Sequence, residues 1–266
     1  HGARSALRFG SAELSYAELG AAIESFAAAL RTLGLPKAAR VGIWLEKRLE
    51  TVVAIFGAAR AGCVFVPINP LLKAEQAAYI AQDCNVQLLV TNGPRVAGFE
   101  PMLAQCPDLR HIVVAGGAAP AAEPGSAMAR AGVNLLSWEA LLAGTGPAAL
   151  PRLIDVDMAI VEGARSVSTY LQNTPDDRIL AVLPLSFDYG LSQLTTSFLV
   201  GATAVLHNYL LPQDVIRALV REKITGLAAV PPLWIQLAAL DWPESIDEHL
   251  RYFTNSGGAM PTATLA

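Results

Sequence analysis

Short, almost wholly apolar runs alternate along this chain with longer stretches whose apolar residues recur at helical spacing, and this alternation restricts the fold more than any other feature. Residues 40–45 read as a strand, 49–61 as a helix stopped by Gly62, and 63–67 as a second strand. A helix over 74–84, a strand over 87–91, a weaker helix over 99–106 and a strand over 111–115 continue the pattern. Ahead of them, residues 14–33 place Leu19, Ile23, Phe26, Ala27, Leu30 and Leu33 on one helical face. Ser15 with Glu18 forms a capping box there, and Gly34 and Pro36 close the helix. Strand and helix in this order predict an α/β fold, a mostly parallel sheet covered by helices.

The second half repeats the pattern. An apolar run over 179–183 reads as a strand buried on both faces, ended by Pro184. A helix over 191–199, strand 202–206, helix 213–222, strand 226–230, helix 233–240 and strand 252–254 follow. Between the halves, 118–132 is rich in Ala, Gly and Pro and reads as a surface loop. Residues 135–142 hold Trp138 and a short helical turn, and 144–150 read as a linker. The expected division is therefore a first β/α lobe over 1–150 and a second over 151–266 that carries the pocket.

Composition bears on partners. Over 266 residues, 53% hydrophobic content is incompatible with a disordered chain, while 16% charged residues and a net charge of −4 give no footprint for nucleic acid or anionic lipid. A mean hydropathy of +0.41 raises the question of a membrane span. Arg60 interrupts the apolar stretch 52–66, and Pro231 with Pro232 interrupts 227–240, so the hydrophobicity belongs to a core. Residues 1–10 lack the apolar core of a secretory signal and carry Arg4 and Arg8, which favours the cytoplasm, although the chain does not begin with Met. Cys63, Cys84 and Cys106 are odd in number and set in apolar sequence, as buried thiols are. His1, His111, His207 and His249 have no ligand partners at metal spacing, and no GxSxG, GxGxxG or GxxxxGK[ST] pattern occurs.

Two stretches carry the candidate chemistry. In DRILAVLPLSFDYGL (177–191), Ser186, Phe187, Asp188 and Tyr189 follow a strand's carboxyl end, where open α/β sheets bind ligands. Asp188 reads either as a ligand contact or as a turn former or helix cap. In NSGGAMP (255–261), paired glycines after a strand let backbone approach a flat ligand, or simply make a turn. Trp234 and Tyr252 read first as core aromatics. One junction does not fit: DVDMAI (155–160) begins like a strand, yet VEGARSVSTYL (161–171) reads at once as the body of a helix, with no punctuation between them.

Taken in order, LSYAELGAAIESFAAALRTLGL, RVGIWLEKRLETVVAIFGAARAGCVFVPINP, AVLPLSFDYGL, VGATAVL, ITGLAAVPPLW and LRYFTNSGGAMP resemble the adenylate-forming superfamily over essentially the whole chain. That superfamily comprises acyl- and aryl-CoA synthetases, luciferase-like enzymes and the adenylation domains of peptide synthetases. The resemblance implies a layered αβαβα N-terminal domain and an AMP-forming acid–thiol ligase. A small carboxylic acid attacks the α-phosphate of Mg²⁺-bound ATP, and the thiol of CoA or of a carrier protein's pantetheine takes the acyl group. By motif it implies that Gly257, Gly258 and Ala259 flank the adenine and acyl-adenylate, with Asn255 and Ser256 at the pocket floor. Phe187 falls at the gate beside the reacting carboxylate, and Val230 and Trp234 on the acyl pocket wall.

The departures are as informative. The family's phosphate loop, of the form YTSGSTGxPKG, belongs between Ile160 and Val161 and is missing. Also missing are the Thr-Glu motif that helps hold Mg²⁺, the ribose-binding Asp, the hinge and the C-terminal domain with its catalytic Lys. The resemblance thus implies an N-terminal fragment without metal ligands of its own. The alternatives are an amino-acid-activating domain that loads a carrier protein and a non-catalytic relic whose phosphate loop is deleted. Phe187 with Asp188 is similar to the amino-acid-activating members, whose Asp pairs with the substrate's α-ammonium, while Tyr189, Gly190 and Leu191 follow the acyl-CoA ligase pattern.

Overall fold

The computed structural model describes residues 1–119, 127–144, 156–261 and 264. The chain divides into two compact units, one of His1–Leu19 with Ile154–Ala266 and one of Gly20–Leu153. The linker read over 144–150 lies, beyond Gly144, outside the described residues, as does the expected boundary at 150. Residues 1–150 were expected to stand together, whereas the first nineteen residues belong with the unit that begins at Ile154. They hold a short antiparallel hairpin, β1 (Ser5–Phe9) and β2 (Ala12–Ser15), and the start of α1 (Tyr16–Thr32). The capping box is present: Glu18 N donates to Ser15 Oγ at 3.2 Å, and Ser15 N donates to Glu18 Oε2 at 2.8 Å. Among the described residues no helix is long and apolar enough to cross a membrane.

The unit Gly20–Leu153 is built on five parallel strands, β3 (Arg40–Ile43), β4 (Val64–Pro67), β5 (Val86–Thr91), β6 (His111–Val114) and β7 (Asn134–Ser137). Their order is β4-β3-β5-β6-β7. The connecting helices are α2 (Leu49–Arg60), α3 (Ala74–Asp83), α4 (Gly93–Phe99), α5 (Ala127–Ala131) and α6 (Trp138–Ala143), with a 3₁₀ turn at Glu100–Gln105. Three sequence readings change here. The helix expected over 99–106 lies earlier, as α4, and is followed by the 3₁₀ turn. Residues 118–132 include the helix α5 as well as loop, with 120–126 outside the described residues; the stretch before Trp138 is a strand. Phe26 of α1 stacks on Trp138 of α6 at 4.8 Å. A Cβ on Gly57 of α2 would stand 2.8 Å from the Phe26 ring, so this glycine is what lets α1 and α2 approach. Helices α3 and α4 bury Ala77, Ala78, Val96 and Phe99 with Val86, Leu89 and Ile112 of the sheet in a separate cluster.

In this sheet β3 connects towards one edge and β5 towards the other, so the carboxyl ends of these neighbours form the topological switch point. The protein's own side chain fills it. Arg95, in the first turn of α4, lies over the Trp44 ring at 5.0 Å. It donates to Trp44 O at 3.0 Å and Pro70 O at 2.9 Å, and pairs with Glu46. Thr91 Oγ1 donates to the same Trp44 carbonyl at 3.1 Å.

The other unit carries α7 (Val156–Tyr170), β8 (Arg178–Ala181), α8 (Asp188–Val200), β9 (Thr203–Leu206), α9 (Pro212–Arg221), β10 (Gly226–Ala229), α10 (Pro231–Ala238) and β11 (Tyr252–Asn255). Its sheet runs β11-β10-β8-β9-β1-β2, parallel except for β2. This is the expected fold class, mostly parallel sheets with helical covers. Helices α9 and α10 pack Val215, Leu219, Leu233, Trp234 and Leu237 against one face of the sheet. At the amino ends of the strands Asp177 is 2% exposed. It accepts from Thr174 N at 2.7 Å, Thr225 Oγ1 at 2.6 Å and Arg251 Nη2 at 2.7 Å.

The expected strand at 155–160 is not a strand. Val156–Tyr170 is one helix that passes through Ile160 and Val161, each 40% exposed, and Asp155 lies outside the described residues. Ala164 and Ser168 are buried and Val167 and Leu171 half-buried, a stripe of helical period. With no Pro ahead of that stripe and Gly163 carried within the helix, extending the helix backwards is easier than starting a new element.

Candidate functional site

In this sheet β8 connects towards β9 and β10 towards β11, so the switch point lies between the carboxyl ends of β8 and β10. The strands part there. The β8–β10 ladder ends at Leu180–Leu227, while β10–β11 continues to Ala229–Asn255. Gln193, one turn into α8 and 5% exposed, bridges the opening: its Nε2 donates to Leu180 O at 3.2 Å and, more weakly, to Ala228 O at 3.4 Å. A buried amide is thus spent on two carbonyls at the point where the strands diverge, one of which, Leu180 O, also accepts from Val182 N at 3.1 Å.

Three strand ends deliver side chains to this opening. Beyond β8, Phe187 N donates to Pro184 O at 3.1 Å, and Phe187 O accepts from Gly190 N and Leu191 N, both at 3.0 Å. Phe187 is thereby the N-cap of α8, and the residue is 40% exposed. Gly190 is indispensable to the turn, because a Cβ there would stand 2.0 Å from the Pro184 carbonyl oxygen. Beyond β10, half-buried Val230 is the N-cap of α10, which starts on Pro231 and Pro232. Beyond β11, Ser256 N donates to Ala229 O at 3.2 Å, and Asn255 Nδ2 closes the turn on Gly258 O at 2.8 Å.

Gly257 stands at the meeting point. Its φ of +81° lies in the left-handed region that favours glycine, and a Cβ there would contact Val230 Cγ1 at 3.6 Å and Phe187 Cζ at 3.9 Å. Gly257, Gly258 and Ala259 are exposed, which leaves backbone open to a flat ligand beside the Phe187 ring. Phe187, Val230 and the 255–259 turn are therefore one locus. Trp234 lies beneath it, 5% exposed in the core, with its indole N–H on Thr254 O at 3.2 Å and its ring 5.1 Å from Phe253.

Asp188 is the first residue of α8 and not its cap, so the cap reading does not hold. Its exposed carboxylate makes no hydrogen bond or ion pair with the described residues and stands in the first helical turn, where the helix dipole favours negative charge. Sequence reasoning missed the layer below. Tyr189 hydrogen-bonds Thr254 Oγ1, and burial raises its phenol above the ordinary value. Tyr252, raised by burial to about 12, accepts from Asn173 Nδ2 at 3.0 Å. The available signal was Gln193 itself, a long amide in the middle of an apolar helix.

The open glycine turn and the Phe187 ring suit the flat face of adenine or an acyl-adenylate. Neither 186–190 nor 255–261 contains a Lys or Arg for phosphates, so no phosphate chemistry is assigned to these residues.

Fold and site define a doubly wound α/β ligand-binding domain with its crevice at strand carboxyl ends. The sequence profile of the AMP-binding enzyme family matches residues 1–139 and 158–266, and the chain belongs to that family. A linear gramicidin synthase of Brevibacillus parabrevis is 28% identical over 246 residues, which is 90% of this chain and 3% of that one. Indoleacetate–CoA ligase of Aromatoleum aromaticum is 27% identical over 285 aligned positions, covering 97% of this chain and 53% of the ligase. That alignment is longer than the 266 residues here, so the ligase carries residues this chain lacks. A benzoate CoA ligase structure from Burkholderia xenovorans superposes with a TM-score of 0.81 at 22% identity, over 99% of this chain and 54% of that one. The chain spans about half the length of these ligases.

Proposed function

We propose that this chain is the acid- and adenylate-binding part of an ATP-dependent, AMP-forming acid–thiol ligase that acts in the cytoplasm. The observation that carries the reading is the convergence of Phe187, Val230 and the Gly257 turn on the switch point of a family member. Phe187 would face the reacting carboxylate, and Gly257–Ala259 would lie along the adenylate, with Asn255 and Ser256 below. Trp234 acts at one remove, by holding Thr254. ATP with Mg²⁺ supplies the electrophilic phosphorus when bound, and CoA or a pantetheine arm of an acyl carrier protein supplies the accepting thiol. The work left to these residues is to hold the carboxylate in line and keep water out.

The test is pyrophosphate exchange into ATP by the whole protein across fatty, aryl and amino acids. Exchange with at least one class is expected, together with loss of most of it in Phe187→Ala. No exchange with any acid would sink the reading and favour a non-catalytic relic.

A second reading, activation of an amino acid for a carrier protein, is favoured by one observation. The Asp188 carboxylate is exposed and unpaired among the described residues, hence open to an ammonium. Asp188→Ala should then reduce exchange with amino-bearing acids by roughly 30-fold or more, the worth of a charge-assisted contact. Equal loss for every acid would remove this reading.

A further inference from the structure

Between α7, α8 and the sheet lies a small cavity of about 20 Å³, lined by Asn173, Tyr189, Gln193, Thr196, Tyr252 and Thr254 among others. This is room for a water molecule and too little for an acyl chain. Three of its lining residues each carry a buried side-chain atom without a hydrogen-bond partner: Asn173 Oδ1, Gln193 Oε1 and Thr196 Oγ1. Gln193 is 5% exposed and Thr196 4% exposed. Buried polar atoms in folded proteins are almost always satisfied by protein or by ordered water, so three orphans around one space call for an occupant.

We propose that the cavity is a hydration site that holds one ordered water molecule. The donor and acceptor count matches. The two amide oxygens accept both water protons, and the Thr196 hydroxyl donates to the water oxygen. Each of the three protein atoms then has one partner, and the water has three, the usual number for a buried site. The consequence reaches the candidate site. Gln193 Nε2 already spans the parted ends of β8 and β10, and Asn173 Nδ2 already holds Tyr252 at the start of β11. Water between their oxygens joins these contacts into one network across all three strands that deliver Phe187, Val230 and the glycine turn. This inference does not depend on what the crevice binds.

Two measurements test it. A crystal structure that resolves ordered solvent should show a single peak within hydrogen-bond distance of all three atoms. Thr196→Val keeps the β-branched shape and removes the hydroxyl. Replacing a satisfied buried hydroxyl by a methyl group destabilises, whereas replacing an orphaned one is neutral or stabilising, so the sign decides. A drop in the unfolding midpoint of about 2–4 °C is expected for a domain of this size. Thr196→Ser should retain the peak. Empty density, direct pairing of the Asn173 and Gln193 amides, or a Thr196→Val midpoint at or above the parent's would each overturn the proposal.

Discussion

At the residue scale, the crevice depends on a glycine whose role is to be absent as a side chain. Gly190 lies in the first turn of α8, and its missing Cβ is the space occupied by the Pro184 carbonyl. Backbone cannot step aside as the tip of a side chain can. Gly190→Ala is therefore expected to lower stability by roughly 2–4 kcal/mol and to shift Phe187, since overpacking against fixed atoms has few outlets. Chemical denaturation, with AMP binding by calorimetry, checks both parts. Unchanged stability and binding would mean the turn is looser than described. In the sequence Gly190 read only as part of the acyl-CoA ligase pattern, because a close approach between a strand exit and a helix entry leaves no trace in periodicity. Phe187 and residues 255–259 stood out because each follows a strand end, a position the alternation itself reveals, whereas Val230 was read as the last residue of a strand and was singled out only by the family resemblance. Trp234 shows the limit of that rule. It follows a strand end too, yet a helix started by two prolines turns it into the core.

At the element scale, the longer helices and the interior strands were legible to within a few residues, since burial on both faces leaves continuous apolar runs; the short helices α4 and α5 were not. The hairpin β1–β2 was not. Its short strands lie at the far edge of a sheet whose other members come more than 150 residues later, and local pattern carries no information on that pairing. The start of α7 was misread for a related reason. DMAI is apolar enough for a strand, and a segment of that length is decided by its neighbours.

What holds the strands of this sheet in register at their amino ends is Asp177. Burial alone would raise its carboxyl, but hydrogen bonds from Arg251, Thr225 and the Thr174 backbone outweigh that and hold it below the ordinary carboxylate value. A depressed folded-state pKa gives stability that is fully present above the unfolded value, near 3.8, and is lost as pH falls below it. Asp177→Asn is expected to cost about 1–3 kcal/mol at neutral pH, after allowance for the partly exposed Arg251. It should also show a shallower loss of stability than the parent as pH falls below about 4. Parallel stability curves for the two proteins would show that Asp177 is not the acid-sensitive group.

At the scale of the whole molecule, the chain uses one plan twice. The order β4-β3-β5-β6 in one unit and β9-β8-β10-β11 in the other are the same walk: one step to one side, back past the start, and on to the far side. No short tandem repeat is visible in the sequence, because topology constrains which positions are apolar and not which apolar residue fills them. Each walk makes a switch point. One is open beside Phe187 and Val230; the other contains Arg95 on Trp44.

A side chain that fills a crevice is a ligand that never leaves, and it can be exchanged for a free one. The guanidinium of Arg95 has an aromatic face, two carbonyls and a carboxylate arranged around it. Arg95→Ala should therefore unfold at a lower temperature and recover a good part of the loss in millimolar guanidinium, at concentrations too low to denature, while the parent protein gains nothing. Recovery with methylguanidinium but not with sodium or ammonium would identify shape and planarity as the basis. Equal response of the parent and variant would show that Arg95 merely covers the surface there. With recovery, the second crevice becomes a receptor for planar cations that the chain keeps occupied by itself.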